Sequence, residues 1–179
     1  MIPALVAALQ RSGARSANRA LSWLAEREIL RNCIVGYNAV ESLVAMLDGP
    51  YVNEATKTLA WLTRNEDAVA EIFKPNVVPA LVKLLENNEC DISALFILGK
   101  VCAKEAAARA EVIQLNAIPA VLRLADKTPF GVLRFLEALA RDDACRQALI
   151  AADAVSKLAE IQKNEATRGW ATTVLGLLS

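Results

Sequence analysis

The sequence contains no histidine, which excludes a Cys/His zinc site, a histidine general base and a histidine switch titrating near neutrality. Its four cysteines, Cys33, Cys90, Cys102 and Cys145, lie far apart with no Cys-x-x-Cys pair among them. We expect buried free thiols in a reducing compartment. No Gly-x-Gly-x-x-Gly string and no glycine-rich loop with lysine offers a cradle for phosphate. Charge of one sign is missing too: 20 basic side chains stand against 20 acidic ones, leaving no global field to draw the chain onto nucleic acid or an anionic membrane. No apolar run approaches the roughly 18 residues that a spanning helix needs. The N-terminus also lacks the basic-then-apolar order of a secretory signal. These absences point to a soluble cytoplasmic chain, with a nuclear address left open, that takes no cofactor or metal, spans no membrane, binds no nucleic acid and is not an enzyme.

What the sequence does have is self-similarity. An apolar fraction of 55% excludes disorder, and a helix opening recurs about every 38 residues: Ile2-Pro3-Ala4-Leu5-Val6, Val40-Glu41-Ser42-Leu43-Val44, Val78-Pro79-Ala80-Leu81-Val82, Ile118-Pro119-Ala120-Val121-Leu122 and Val155-Ser156-Lys157-Leu158-Ala159. Repetition at that period is the mark of a solenoid, in which no unit buries its apolar face alone. Upstream of each later opening a short apolar-periodic segment ends in Asn38, Asn76, Asn116 or Asp153, residue types that tolerate the left-handed backbone of a helix stop. Proline is placed at the first helical position of three openings, Pro3, Pro79 and Pro119, where a missing N–H costs nothing. After a polar loop comes a longer helix. Aligning these long helices puts Leu21, Leu59, Leu98, Leu136 and Leu175 in one column, with Leu24, Leu62, Val101, Leu139 and Leu178 three residues on.

The order of short helix, Asn/Asp corner, Ile-Pro-Ala-Leu-Val helix, polar loop and long Ala-x-x-x-Leu-x-x-Leu-Ala helix resembles the armadillo repeat over essentially the whole chain. Val77-Val78-Pro79-Ala80-Leu81-Val82-Lys83-Leu84-Leu85 and Ala117-Ile118-Pro119-Ala120 carry the resemblance, although Asn or Asp stands where that family usually has glycine. The two-helix HEAT unit is the nearest competitor. The resemblance implies an all-α, right-handed α-solenoid, a single domain over 1–179 with repeats of approximately 1–38, 39–76, 77–116, 117–153 and 154–179. The first repeat would lack its first helix.

In importin-alpha-like members a tryptophan and, one turn later, an asparagine project from each third helix to hold the backbone of an extended peptide. The asparagine column here holds Trp23, Trp61, Lys100, Ala138 and Leu177, and the tryptophan column Arg19, Lys57, Phe96, Arg134 and Thr173. Without ladder asparagines the importin mode is disfavoured. Basic and aromatic steps replace it, Arg19 with Trp23 and Lys57 with Trp61, each pair on one helix face. Beta-catenin-like members, whose groove lysines receive acidic extended ligands, are closer. The expectation is therefore a non-catalytic scaffold or adaptor that binds a protein or peptide partner in its concave groove, with Arg15, Arg19, Trp23, Lys57, Trp61, Phe96, Lys100 and Arg134 as contact residues. The partner segment would be acidic and apolar. An equally weighed reading places Trp23 and Trp61 between successive third helices, with Arg19 and Lys57 lying over them. Glu26, Glu54 and Glu137 dilute the basic strip.

Other features read structurally. Asp142-Asp143 opens a helix, where acidic side chains offset the N-terminal dipole. Arg11, Arg15 and Arg19 form a stripe at four-residue spacing, better read as a solvated face or groove rim than as a nucleic-acid contact. The ends look uncapped: Ile2 and Leu5 at one, Trp170, Val174, Leu177 and Leu178 at the other. Either the chain is cut from a longer solenoid or the ends drive self-association into a homo-oligomer. A nuclear-transport or chaperone adaptor is a further alternative.

Overall fold

Four residues other than glycine adopt left-handed backbone among those described, and they are the four predicted corners: Asn38 (φ 57°), Asn76 (φ 73°), Asn116 (φ 50°) and Asp153 (φ 59°). The backbone N–H donates to the carbonyl three residues back at Asn38 (to Val35, 2.9 Å), Asn116 (to Ile113, 3.0 Å) and Asp153 (to Ile150, 3.1 Å). At Asn116 the Ala117 N–H also donates to the Val112 carbonyl at 3.1 Å, completing the paired bonds of a Schellman stop. Short polar side chains are what make that left-handed turn affordable without glycine.

The computed structural model describes residues 1–10, 14–74, 76–87 and 91–179. Among them lie fourteen α-helices and no strand, in the order of two helices followed by four sets of three. The chain divides into two compact units, Met1–Leu81 and Val82–Ser179.

The first unit holds α1 (Ile2–Ala8), α2 (Ala14–Ala25), α3 (Glu28–Gly36), α4 (Ala39–Val44), α5 (Val52–Leu62), α6 (Glu66–Ile72) and the start of α7 (Val77–Glu86). Its long helices α2 and α5 pack side by side, burying Leu21, Leu24, Leu59 and Leu62 in the predicted columns. Between them lies a buried polar pair. The amide nitrogen of Asn18 on α2 donates to Thr58 Oγ1 (2.5 Å) and the Glu54 carbonyl (3.2 Å) on α5, while its oxygen accepts from the Ala55 N–H at 2.9 Å. Thr58 in turn donates to the Glu54 carbonyl at 2.9 Å, so every polar atom of the pair is engaged.

The second unit holds the rest of α7, then α8 (Asp91–Lys104), α9 (Ala106–Gln114), α10 (Ile118–Leu122), α11 (Pro129–Ala140), α12 (Asp143–Ala151), α13 (Ala154–Gln162) and α14 (Arg168–Leu178). Here α8 packs on α11 and α11 on α14, each long helix on the next. Leu98, Val101, Leu136 and Leu139 are fully buried, with Phe135 the largest side chain sealed inside. In the last column pair Leu175 and Leu178 are only half-buried.

Two local details differ from expectation. Pro3 and Pro119 are the second residues of α1 and α10, and Pro79 the third of α7; all remain in a first turn, whose N–H groups have no intrahelical partner. A recurring arginine also closes the far end of the long helices. Arg31 on α3 donates to the Ala25 carbonyl (3.0 Å), Arg109 on α9 to Cys102 (2.7 Å) and Arg146 on α12 to Ala140 (3.0 Å). A cation there satisfies orphan carbonyls and complements the negative end of the helix dipole.

Candidate partner-binding surface on the third helices

In the first unit Arg15, Arg19 and Trp23 occupy one face of α2, and Lys57 and Trp61 the corresponding face of α5. Trp23 is 66% exposed and Trp61 half-buried, so Trp23 does not fill a seam between long helices. Arg15 Nε donates to Glu54 Oε1 at 3.0 Å. That bond, with a smaller contribution from the charge of Lys57, holds the Glu54 carboxyl below the ordinary glutamate range. Arg19 and Lys57 are exposed and make no hydrogen bond or ion pair among the described residues.

The expected cation–ring pairs are corrected. Arg19 and Lys57 do not lie over the tryptophans; Arg27 sits 5.8 Å from the Trp23 ring and Arg64 4.4 Å from the Trp61 ring. Helical side chains lean toward the N-terminus. Arg27 and Arg64 are not helical: Arg27 caps α3 on extended backbone (φ −91°, ψ 127°) and Arg64 lies in the turn after α5. Each reaches its ring from the loop that follows the long helix, whereas Arg19 and Lys57, one turn earlier on the helices, lean away. Arg11, at the head of the predicted stripe, falls outside the described residues.

In the second unit the cluster is tighter. The Arg134 guanidinium on α11 lies 5.2 Å from the Phe96 ring of α8 and 5.9 Å from the Trp170 ring of α14. Glu137 is fully engaged: Oε1 accepts from Arg141 at 2.8 Å and Oε2 from Trp170 Nε1 at 2.9 Å. Lys100, half-buried, joins Arg134, Glu137, Arg141 and Trp170 around a cavity of about 250 Å³. Phe130, 51% exposed, packs beside Trp170, tilted 47° to it at 6.4 Å. Neither Lys100 nor Arg134 has a hydrogen-bond acceptor or carboxylate partner among the described residues.

Trp170 thus belongs to this cluster and not to the end surface where the sequence placed it. Of the other end residues, Ile2 and Val174 are buried, and Leu5, Leu177 and Leu178 half-buried. Arg27, Arg64, Arg141 and Phe130 were not singled out from the sequence. The Glu137–Arg141 pair was findable as acid and base four residues apart, but the others depend on how neighbouring helices pack.

The buried thiols offer no chemistry. Burial raises Cys102 from 9.0 to about 12 and Cys145 from 9.0 to about 11, keeping both protonated at neutral pH and poor nucleophiles. Cys33 is exposed, and Cys90 lies outside the described residues. Among the described residues no cluster of three or more His, Cys, Asp and Glu could hold a metal ion, and no helix is long and apolar enough to cross a membrane.

No family model matches the sequence, and no curated protein matches it. Solved structures do. A designed armadillo repeat protein superposes with a TM-score of 0.85 at 18% identity, over 99% of this chain and 82% of that one. Another, in complex with the peptide (KR)4, gives 0.82 at 19% identity, over 99% and 82%. A chain from work on a phosphorylation switch controlling the interaction between cadherin and beta-catenin gives 0.85 at 20% identity, covering 99% of this chain and 36% of that one.

Proposed function

From an armadillo-type α-solenoid fold, shared with structures that match 99% of the chain, we propose a non-catalytic protein-binding scaffold whose third-helix faces hold a partner segment rich in acidic and apolar residues. One observation carries the reading. The third helices present four cations, Arg19, Lys57, Lys100 and Arg134, that form no hydrogen bond or ion pair among the described residues, beside the aromatic side chains Trp23, Trp61, Phe96 and Trp170. Glu54 and Glu137, the acids nearest them, are already bound by Arg15, Arg141 and Trp170. Unpaired cations next to aromatic area suit charge-assisted hydrogen bonds to acids and apolar contact together.

The designed relative that binds (KR)4 serves as a contrast in sign, since a basic peptide would meet like charge here. Self-association through the ends has less support, because Ile2 and Val174 are buried.

The test is capture of partners on the immobilised chain, followed by affinity measurements on synthetic segments tiling each captured protein. Acidic segments should bind the wild type and lose affinity for the Trp23→Ala/Trp61→Ala chain. Binding indifferent to third-helix substitutions, yet lost with Ile29→Asp on α3, would move the site to another face; Ile29 is 79% exposed.

A further inference from the structure

We propose that the cavity among α8, α11 and α14 is a carboxylate subsite that takes one Asp or Glu side chain of the partner segment, with an adjoining apolar residue on Phe130. This rests on the scaffold reading above and narrows it to one pocket and one functional group.

Arg134 is built as a receptor. Rings from the two neighbouring long helices stand against its guanidinium, at 5.2 Å (Phe96) and 5.9 Å (Trp170). Aromatic contact fixes the plane of a guanidinium while leaving its N–H fork free to take a carboxylate edge-on. A half-buried fork of donors without an acceptor is a standing demand for an anion. Lys100, in the same cavity, supplies a second donor that also lacks a partner.

Glu137 is why the demand stays unmet from within. Its two oxygens are taken, one by Arg141 and one by Trp170 Nε1, so it anchors the Trp170 wall and does not quench Arg134. Three cations, Lys100, Arg134 and Arg141, therefore face one committed carboxylate around the cavity. A volume of about 250 Å³ is below the usual range for a whole small ligand, roughly 300–1,000 Å³, and suits a single side chain. The Glu137 carboxylate lining the same space selects a monoanion over a phosphate dianion, which it would repel. Phe130, 51% exposed and next to the Trp170 ring that lines the cavity, gives the residue beside the acid an apolar seat.

The experiment is selection of a random peptide library, displayed on phage, against the intact chain, followed by fluorescence polarisation of the enriched peptides. Enriched sequences should pair Asp or Glu with a Leu- or Phe-like neighbour. Arg134→Gln should weaken them by about ten- to a hundredfold, as expected for lost charge-assisted bonds, and Arg134→Lys should restore only part because it loses the fork. Since Arg134 also packs on two rings, Lys100→Glu provides a second arm, removing no interaction among the described residues. It should weaken acidic peptides comparably while circular dichroism stays unchanged. Peptides without an acid, or peptides indifferent to Lys100→Glu and Arg134→Gln, overturn the subsite; if they still lose affinity with Trp23→Ala/Trp61→Ala, the scaffold reading survives without it. Tighter binding after replacing the selected Glu by phosphoserine overturns the carboxylate assignment. Failure to enrich any peptide overturns both.

Discussion

Within each of the two units the long helices pack through a seam, and the two seams, built on the same alignment, are chemically opposite. Where α2 and α5 bury Asn18 against Thr58, the corresponding positions of α8 and α11 hold Leu95 and Phe135, equally buried. A seam of hydrogen bonds is directional and punishes slippage, because a shifted Asn18 would leave buried polar atoms without partners. An apolar seam gains more from water exclusion and depends on shape. The surfaces differ as well. The first unit shows an open tryptophan, whereas the second ties Trp170 down through Glu137 and arranges Arg134 beside it. One scaffold thus carries a register-defining seam under an adaptable face, and a space-filling seam under a pre-shaped one.

Breaking the apolar seam should have the largest effect. Phe135→Ala removes a fully buried ring and should lower stability by about 3–5 kcal/mol in urea unfolding. Because contacts run between neighbouring elements, amide exchange should rise first in α8, α11 and α14. Uniform loss of protection across all fourteen helices would show that the chain unfolds as one body.

The polar seam should yield a smaller and more instructive change. Asn18→Ala should cost about 1–2 kcal/mol, since Thr58 keeps its bond to the Glu54 carbonyl and is not left orphaned. Replacing both partners with apolar groups, Asn18→Leu/Thr58→Val, should recover most of that loss. If the double variant is no better than the single one, the seam is shaped around the amide and not merely satisfied by it.

These seams show where sequence reading stops. The helix order, the four Asn/Asp corners and the leucine columns were legible because each depends on local backbone preference or on periodicity. Asn18 was not, as asparagine on a helix normally reads as exposed and its partner lies 40 residues away. On the surface, Arg134, Phe96 and Lys100 could be placed on third-helix faces from spacing alone. That Trp170 would join them depends on how α14 lies against α11, and the placing of Arg27 and Arg64 over their rings depends on the course of the loops after α2 and α5.

A pH profile separates the units by their thiols. Cys102 and Cys145, both in the second unit, are raised from 9.0 to about 12 and about 11 by burial, while Cys33 in the first is exposed. A raised folded value stabilises fully below the unfolded value near 9, and that contribution is lost as pH climbs toward the folded value. Stability should therefore hold level from about pH 6 to 8, with no histidine to titrate there, and fall above 9 by roughly 1 kcal/mol per buried thiol for each pH unit. On the acid side the lowered carboxyls of Glu54 and Asp142 give the opposite sign, with stability lost as pH drops through their folded values. Urea melts of the Cys102→Ala/Cys145→Ala chain should show a flatter alkaline limb; an unaltered limb assigns the fall to other groups.

The smallest effect should come from the open tryptophan. Trp23 is 66% exposed, with Arg27 5.8 Å from its ring, so Trp23→Ala should change stability by no more than about 0.5 kcal/mol, the usual range for surface substitutions. Trp61, half-buried under Arg64 at 4.4 Å, should cost more when truncated. That ordering is what the contrast between open and seated rings requires, because a ring left in water contributes to folding only what it removes from solvent. Should Trp23→Ala prove as damaging as Trp61→Ala in the same melts, its face is covered in solution, and Trp23 is part of the fold instead of waiting for a partner.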